Sequence, residues 1–179
     1  MKKLFIGSVI AVGILGAIGL IVSVAYADDT ADVTASVTVQ YSAVSLSQSS
    51  FTYGSIAANI ASSTLDLFSG AGIIATNDGS IADLDIYGYD TTGTGGGWTL
   101  GANTTGNNYM HEFCNDTQLD CALPSGDANY VKLTTSPQLL KANVDNNGEV
   151  AFQLRITTPT TPTDFSQQSA KVTVQASAN

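Results

Sequence analysis

The sequence predicts an all-β fold: a single antiparallel β-sandwich, Ig-like or jelly-roll-like, with about nine strands, preceded by an N-terminal export signal. Three observations carry this. Apolar residues recur with a period of two, the gaps between those runs hold turn-forming residues, and residues 28–179 show no sustained helical period.

The alternating runs come first. Val33, Ala35, Val37, Val39 and Tyr41 alternate with Thr34, Ser36, Thr38 and Gln40, which predicts a half-buried strand. Leu84, Ile86 and Gly88 alternate with Asp83, Asp85, Tyr87 and Tyr89. Val150, Phe152, Leu154 and Ile156 alternate with Ala151, Gln153, Arg155 and Thr157. Val172, Val174 and Ala176 alternate with Lys171, Thr173 and Gln175. Shorter strands are expected at Ser42–Ser47, Gly72–Thr76, Trp98–Ala102, Tyr109–Cys114, Tyr130–Thr134 and Leu139–Asn143. Between them lie Asn77-Asp78-Gly79, Gly93–Gly97, Pro124-Ser125-Gly126 and Asp145-Asn146-Asn147-Gly148, which supply positive φ or side-chain-to-backbone bonds. A helical turn is expected only within Ile56–Leu67. No linker divides the domain.

The N-terminus has the layout of a secretory signal. Lys2 and Lys3 precede an uncharged, mostly apolar run that ends in Ala25-Tyr26-Ala27, with Asp28 and Asp29 next. This predicts a signal peptide over residues 1–27, cleavage after Ala27 and a sandwich domain over 28–179. The apolar run is also long enough to span a bilayer, so an uncleaved anchor is the other reading and the only route by which a membrane enters.

Composition narrows the partners. The whole chain carries a net charge of −9, and loss of Lys2 and Lys3 takes it to −11. Such a surface repels nucleic acid and anionic lipid. Cys114 and Cys121 lie close together in a chain expected outside the cytoplasm, which predicts a local disulfide over a pair of buried thiols. The loop is short, so the bridge pins a loop rather than the fold.

Catalytic chemistry is poorly supplied. His111 is the only histidine, no serine sits in a nucleophile-elbow context, and a satisfied strand histidine is the expectation. Asp83 and Asp85 share a strand face but lack any sign of a walled cleft. No catalytic residue, cofactor or metal is assigned. Asp145, Asn147 and Glu149 offer clustered oxygen ligands for calcium, but their spacing fits a hairpin turn better than a calcium loop. Tyr87 and Tyr89 lie beside Asp83 and Asp85 and would make a glycan-stacking face; ordinary cross-strand pairing is the simpler explanation. Asn103-Thr104-Thr105 and Asn115-Asp116-Thr117 match glycosylation acceptors.

Asp90-Thr91-Thr92-Gly93-Thr94-Gly95-Gly96-Gly97-Trp98-Thr99-Leu100 is the most specific pattern: an acidic residue, a Gly-rich turn and Trp-x-Leu. It resembles the WxL domain of bacterial cell-surface proteins. Phe51-Thr52-Tyr53-Gly54 is similar to the early aromatic motif of that domain. Phe152-Gln153-Leu154 with Pro159 is similar to its second Trp-x-Leu, with phenylalanine in place of tryptophan. The resemblance implies a β-sandwich held on cell-wall peptidoglycan, with Trp98, Leu100, Phe152 and Leu154 as motif residues. The overall layout is also similar to camelysin-type biofilm fibre proteins.

Val37-Thr38-Val39-Gln40 recurs as Val172-Thr173-Val174-Gln175. The limited repertoire of good strand residues accounts for this. Alternatively, both segments suit similar edge positions, and the run of Val33, Ala35, Val37 and Val39 is a donor strand lent to another copy. The functional expectation is a non-enzymatic cell-surface structural or adhesive protein that binds peptidoglycan or copies of itself. A carbohydrate-binding module is the alternative, and a secreted hydrolase the least supported.

Overall fold

The computed structural model describes residues 34–70, 72–122 and 126–178. The export signal, Val33 and Pro124-Ser125 lie outside the described residues. The chain divides into two units, Met1–Val37 and Thr38–Asn179. Of the first, only residues 34–37 are described; they are exposed and form no strand.

The second unit is an all-β sandwich. Its elements, in chain order, are β1 (Val44–Leu46), β2 (Ala61–Ser63), α1 (Thr64–Leu67), β3 (Ile73–Asn77), β4 (Ala82–Gly88), β5 (Thr92–Gly93), β6 (Thr99–Leu100), β7 (Asn108–Asn115), β8 (Val131–Lys132), β9 (Gln138–Val144), β10 (Glu149–Thr157), β11 (Gln168–Ser169) and β12 (Val172–Ala178). One sheet runs β1-β3-β10-β7-β6, with β2 continuing the β3 row beside β10 and β8 continuing the β6 row beside β7. The other runs β12-β4-β9. A third, β11-β5, ties two loops together. The pairing is antiparallel apart from the short parallel match of Thr99 and Leu100 with Asn108 and Tyr109.

The core follows from the alternation. Leu84 and Ile86 of β4, Leu140 and Val144 of β9 and Val174 of β12 face Ile73 and Ala75 of β3, Phe113 of β7, and Val150, Phe152 and Leu154 of β10. Burial alternates without a break along β4, because its outer face meets solvent and its inner face the core.

Two expectations are corrected. The half-buried strand over Val33–Tyr41 is absent among the described residues: 34–41 carry no strand, and Val37 and Val39 are 89% and 80% exposed. Alternation made this segment a good strand; at its end Tyr41 bonds to Ser80 and Asp78, but no ladder forms along it. Second, Gln153 was placed on a solvated face by its period, yet it is fully buried. A further layer, α1 and the loop after β7, covers the outside of β7 and β10. Thr64 Oγ1 donates to Gln153 Oε1 at 2.7 Å, and Gln153 Nε2 donates to Asp116 Oδ2 at 2.8 Å. Both polar ends of the amide are satisfied, which makes its burial tolerable. Arg155 Nε donates to Glu112 Oε2 at 2.8 Å on the same outer face, and the guanidinium lies 4.4 Å from the centre of the Tyr130 ring.

The Cys114–Cys121 disulfide is formed, with Cα atoms 5.9 Å apart. It packs with Tyr130 and Leu65 in a small cluster outside the main core. The bridge therefore pins the covering loop, as its short span requires.

Candidate functional site

The sandwich opens into a groove of about 790 Å³. One wall is the irregular stretch 49–58, and the other is 162–172, the approach to β12. Trp98, His111, Leu154 and Ile156 line it between those walls. Leu154 and Ile156 point inward from β10, and His111 sits opposite Ile156 in the β7–β10 register. β12 is an edge strand, bonded to β4 on one side. Among the described residues, 49–56 make no backbone–backbone hydrogen bond.

Trp98 reaches the groove through the Gly-rich turn. Thr91 N–H donates to the Trp98 carbonyl at 2.9 Å, and Trp98 N–H donates to Thr91 Oγ1 at 2.6 Å. A Cβ on Gly97 would collide with the Thr91 carbonyl, and Gly96 has φ of +114°, so the glycines are needed for closure of this hairpin rather than for looseness. The indole Nε1 donates to the Asp164 carbonyl at 3.2 Å. The Asp164 carboxylate in turn accepts from Ser166 Oγ at 2.7 Å, Gln168 Nε2 at 2.6 Å and Gly95 N–H at 3.1 Å. Hydrogen bonds from Ser166 foremost hold its pKa below the usual carboxylate value.

Beneath the groove runs a row of aromatic contacts. Phe68, Phe51, Tyr53, His111, Tyr109 and Trp98 follow one another at centroid separations of 5.0–6.3 Å. His111 is 2% exposed. Its Nε2 shares a 3.1 Å hydrogen bond with the Tyr53 hydroxyl, while Nδ1 is buried without a partner. Burial lowers its pKa to about 4 and raises that of Tyr53, so both are neutral near pH 7. The histidine is thus only half satisfied, a correction to the expectation of a satisfied one. Among the described residues it hydrogen-bonds to no carboxylate or serine.

The other sequence-predicted residues are dispersed. Phe152 and Leu154 are buried in the core. Trp98 and Leu100 are half-buried with exposed Thr99 between them, and Leu100 packs on the core. Tyr87 and Tyr89 lie on the outer face of the β12-β4-β9 sheet, centroids 5.4 Å apart and tilted by 49°, with Lys171 Nζ 4.8 Å from the Tyr89 ring centre. Asp145, Asn147 and Glu149 occupy the β9–β10 turn, where Gly148 N–H donates to the Asp145 carbonyl at 2.8 Å. Among the described residues no three His, Cys, Asp or Glu gather as metal ligands.

Sequence reading did not find the groove. Its 162–172 wall has no periodicity, and the Tyr53–His111 pair joins residues 58 positions apart. One signal was present: Phe165, an isolated aromatic in a polar stretch with proline, is 85% exposed on the groove's rim.

Comparison with known proteins yields no match: no family model, no curated protein and no solved structure is similar to this chain.

Proposed function

We propose that this protein is a secreted, non-enzymatic structural subunit that assembles with copies of itself at the cell surface by strand addition. The observation that carries the reading is the groove between 49–58 and 162–172. It pairs a floor that includes Leu154 and Ile156 with the 49–56 wall, whose backbone makes no backbone–backbone hydrogen bond among the described residues and so can take an added strand. The incoming strand is the Val33–Gln40 segment of another copy. In an extended conformation Ala35, Val37 and Val39 share one face, so the face that is exposed in the isolated chain would meet Leu154 and Ile156. Burying each valine would contribute about 1.5 kcal/mol or more. Head-to-tail addition does not close on itself and so yields a filament.

The test is negative-stain microscopy and sedimentation of residues 28–179, beside a Val37→Asp/Val39→Asp variant. Filaments are expected for the parent and monomers for the variant, with the same melting temperature because both sites are exposed. A parent that remains monomeric across a range of salt, or a variant that still polymerises, overturns the reading. Co-sedimentation with peptidoglycan in place of filaments would favour wall attachment, the partner implied by the WxL resemblance.

A further inference from the structure

We propose that Asn103 is an N-glycosylation site of this protein and that Asn115, the second match to the acceptor pattern, is excluded from modification by the fold. The inference does not rest on the strand-addition reading.

Both segments have the required Asn-x-Thr order, and the structure separates them. Asn103 is exposed in the loop between β6 and β7. Its Oδ1 accepts from Thr105 N–H at 3.0 Å, which orients the carboxamide and leaves Nδ2 without a protein partner among the described residues. The loop is held by its middle residue. Thr104 Oγ1 donates to Asn59 Oδ1 at 3.1 Å, and the Thr104 carbonyl accepts from Thr160 N–H at 2.8 Å. Asn103 and Thr105, the two residues a transferase must read, are both exposed on either side of that anchor.

Asn115 is the opposite case. It is buried at the end of β7, and its Nδ2 donates to the Leu140 carbonyl at 2.7 Å and to Gln118 Oε1 at 2.9 Å. Its Oδ1 accepts from Thr117 N–H at 3.2 Å. A sugar on Nδ2 would replace one of those two protons and leave the Leu140 carbonyl or Gln118 Oε1 without its donor.

The chemistry needs a lipid-pyrophosphate-linked oligosaccharide and a membrane oligosaccharyltransferase. Nδ2 of Asn103 forms a bond to C1 of the first sugar. The C1–O bond to phosphate breaks, the lipid pyrophosphate leaves with the electron pair, and one amide proton passes to the enzyme's base. The product keeps the Asn103 carbonyl, so its bond from Thr105 N–H survives.

The experiment is peptide mass spectrometry of protein purified from the cells that make it, after chymotryptic digestion. A glycan mass on the Asn103 peptide and an unmodified Asn115 peptide are expected. Thr105→Ala, an exposed change that keeps Asn103 and the Thr105 backbone donor position, should abolish the increment without shifting the melting temperature. An unmodified Asn103 peptide, or glycan on Asn115 of the folded protein, overturns the proposal, as does a Thr105→Ala variant that stays modified.

Discussion

The two lateral edges of the sandwich are built differently. On the β9 side, Asn115 of β7 reaches across to the Leu140 carbonyl of β9 and ties one sheet to the other. Phe113 and Leu140 pack beside that bond as part of the core. On the β12 side, the larger groove lies between 49–58 and 162–172, and its lining holds a histidine with an unpartnered nitrogen. Both β9 and β12 are edge strands of their sheet, but on the β9 side a smaller groove of about 450 Å³ is crossed by the Asn115–Leu140 bond. The β12 side presents floor and walls without a strand between them, and this asymmetry is what a subunit that receives a strand would need.

The largest expected effect probes that contrast through stability. Phe152 lies in the closed part of the core, where truncation leaves a cavity the surroundings only partly fill. Phe152→Ala should cost about 3–5 kcal/mol. Ile156 also faces inward but borders the groove, where water can replace the lost side chain. Ile156→Ala should fall near the low end of the range for such changes, about 2 kcal/mol. Urea unfolding of both measures the difference. Equal losses would mean that the groove is closed in solution.

His111 allows a second test, through pH. Its pKa is near 4 in the fold against 6.5 in the free side chain, so between those values the unfolded chain binds more protons. Stability therefore decreases as pH falls from about 6.5 and the loss is complete near pH 4, reaching at most about 3 kcal/mol. Tyr53 and Tyr109, the aromatic hydroxyls packed against it, have raised pKa values and stay neutral through this window. Other groups add their own slope. The informative quantity is thus the difference between the parent and His111→Leu, which should lack the step between pH 6.5 and 4. If the two pH profiles run parallel, the histidine is not held neutral by burial.

Strands β4 and β10 were legible in sequence because their inward residues keep a period of two. Residues 82–88 and 149–157 form strands with the inward residues where the period placed them. The disulfide followed from spacing and compartment alone. Gln153 is buried against its period because alternation reports one covered face, and here a second layer covers the other. At the open side the limit has another cause. Residues 33–41 are a strand by pattern, but a strand also needs a continuous ladder, and among the described residues only Tyr41 bonds to the sandwich, at Ser80 and Asp78. The groove itself comes from residues far apart in sequence, joined by hydrogen bonds such as Asp164 to Gly95 and Tyr53 to His111.

The disulfide gives a third, smaller effect and a control on location. Loop-closure entropy for a bridge with a sequence separation of 7 amounts to about 2–3 kcal/mol. Cys114→Ala/Cys121→Ala should lower stability by that amount. Because the bridge packs with Tyr130 and Leu65 outside the sandwich core, filament formation by the folded variant should be unchanged. Lost assembly at full folding would place the covering loop, not the groove, at the subunit contact.

The smallest effect on the isolated chain belongs to Phe165, and it separates stability from assembly most sharply. An aromatic ring that is 85% exposed contributes little to folding, so Phe165→Ser should shift stability by no more than about 0.5 kcal/mol. Yet the ring stands on the rim of the groove, where a strand laid on Leu154 and Ile156 would pass beneath it. An added strand would cover the ring and remove its apolar surface from water, a gain present only in the assembly. The critical concentration for filament growth should therefore rise several-fold in Phe165→Ser while the melting temperature holds. A variant that melts earlier by several degrees would assign the ring to the fold of the single chain, and one with unaltered growth would move the added strand away from this rim.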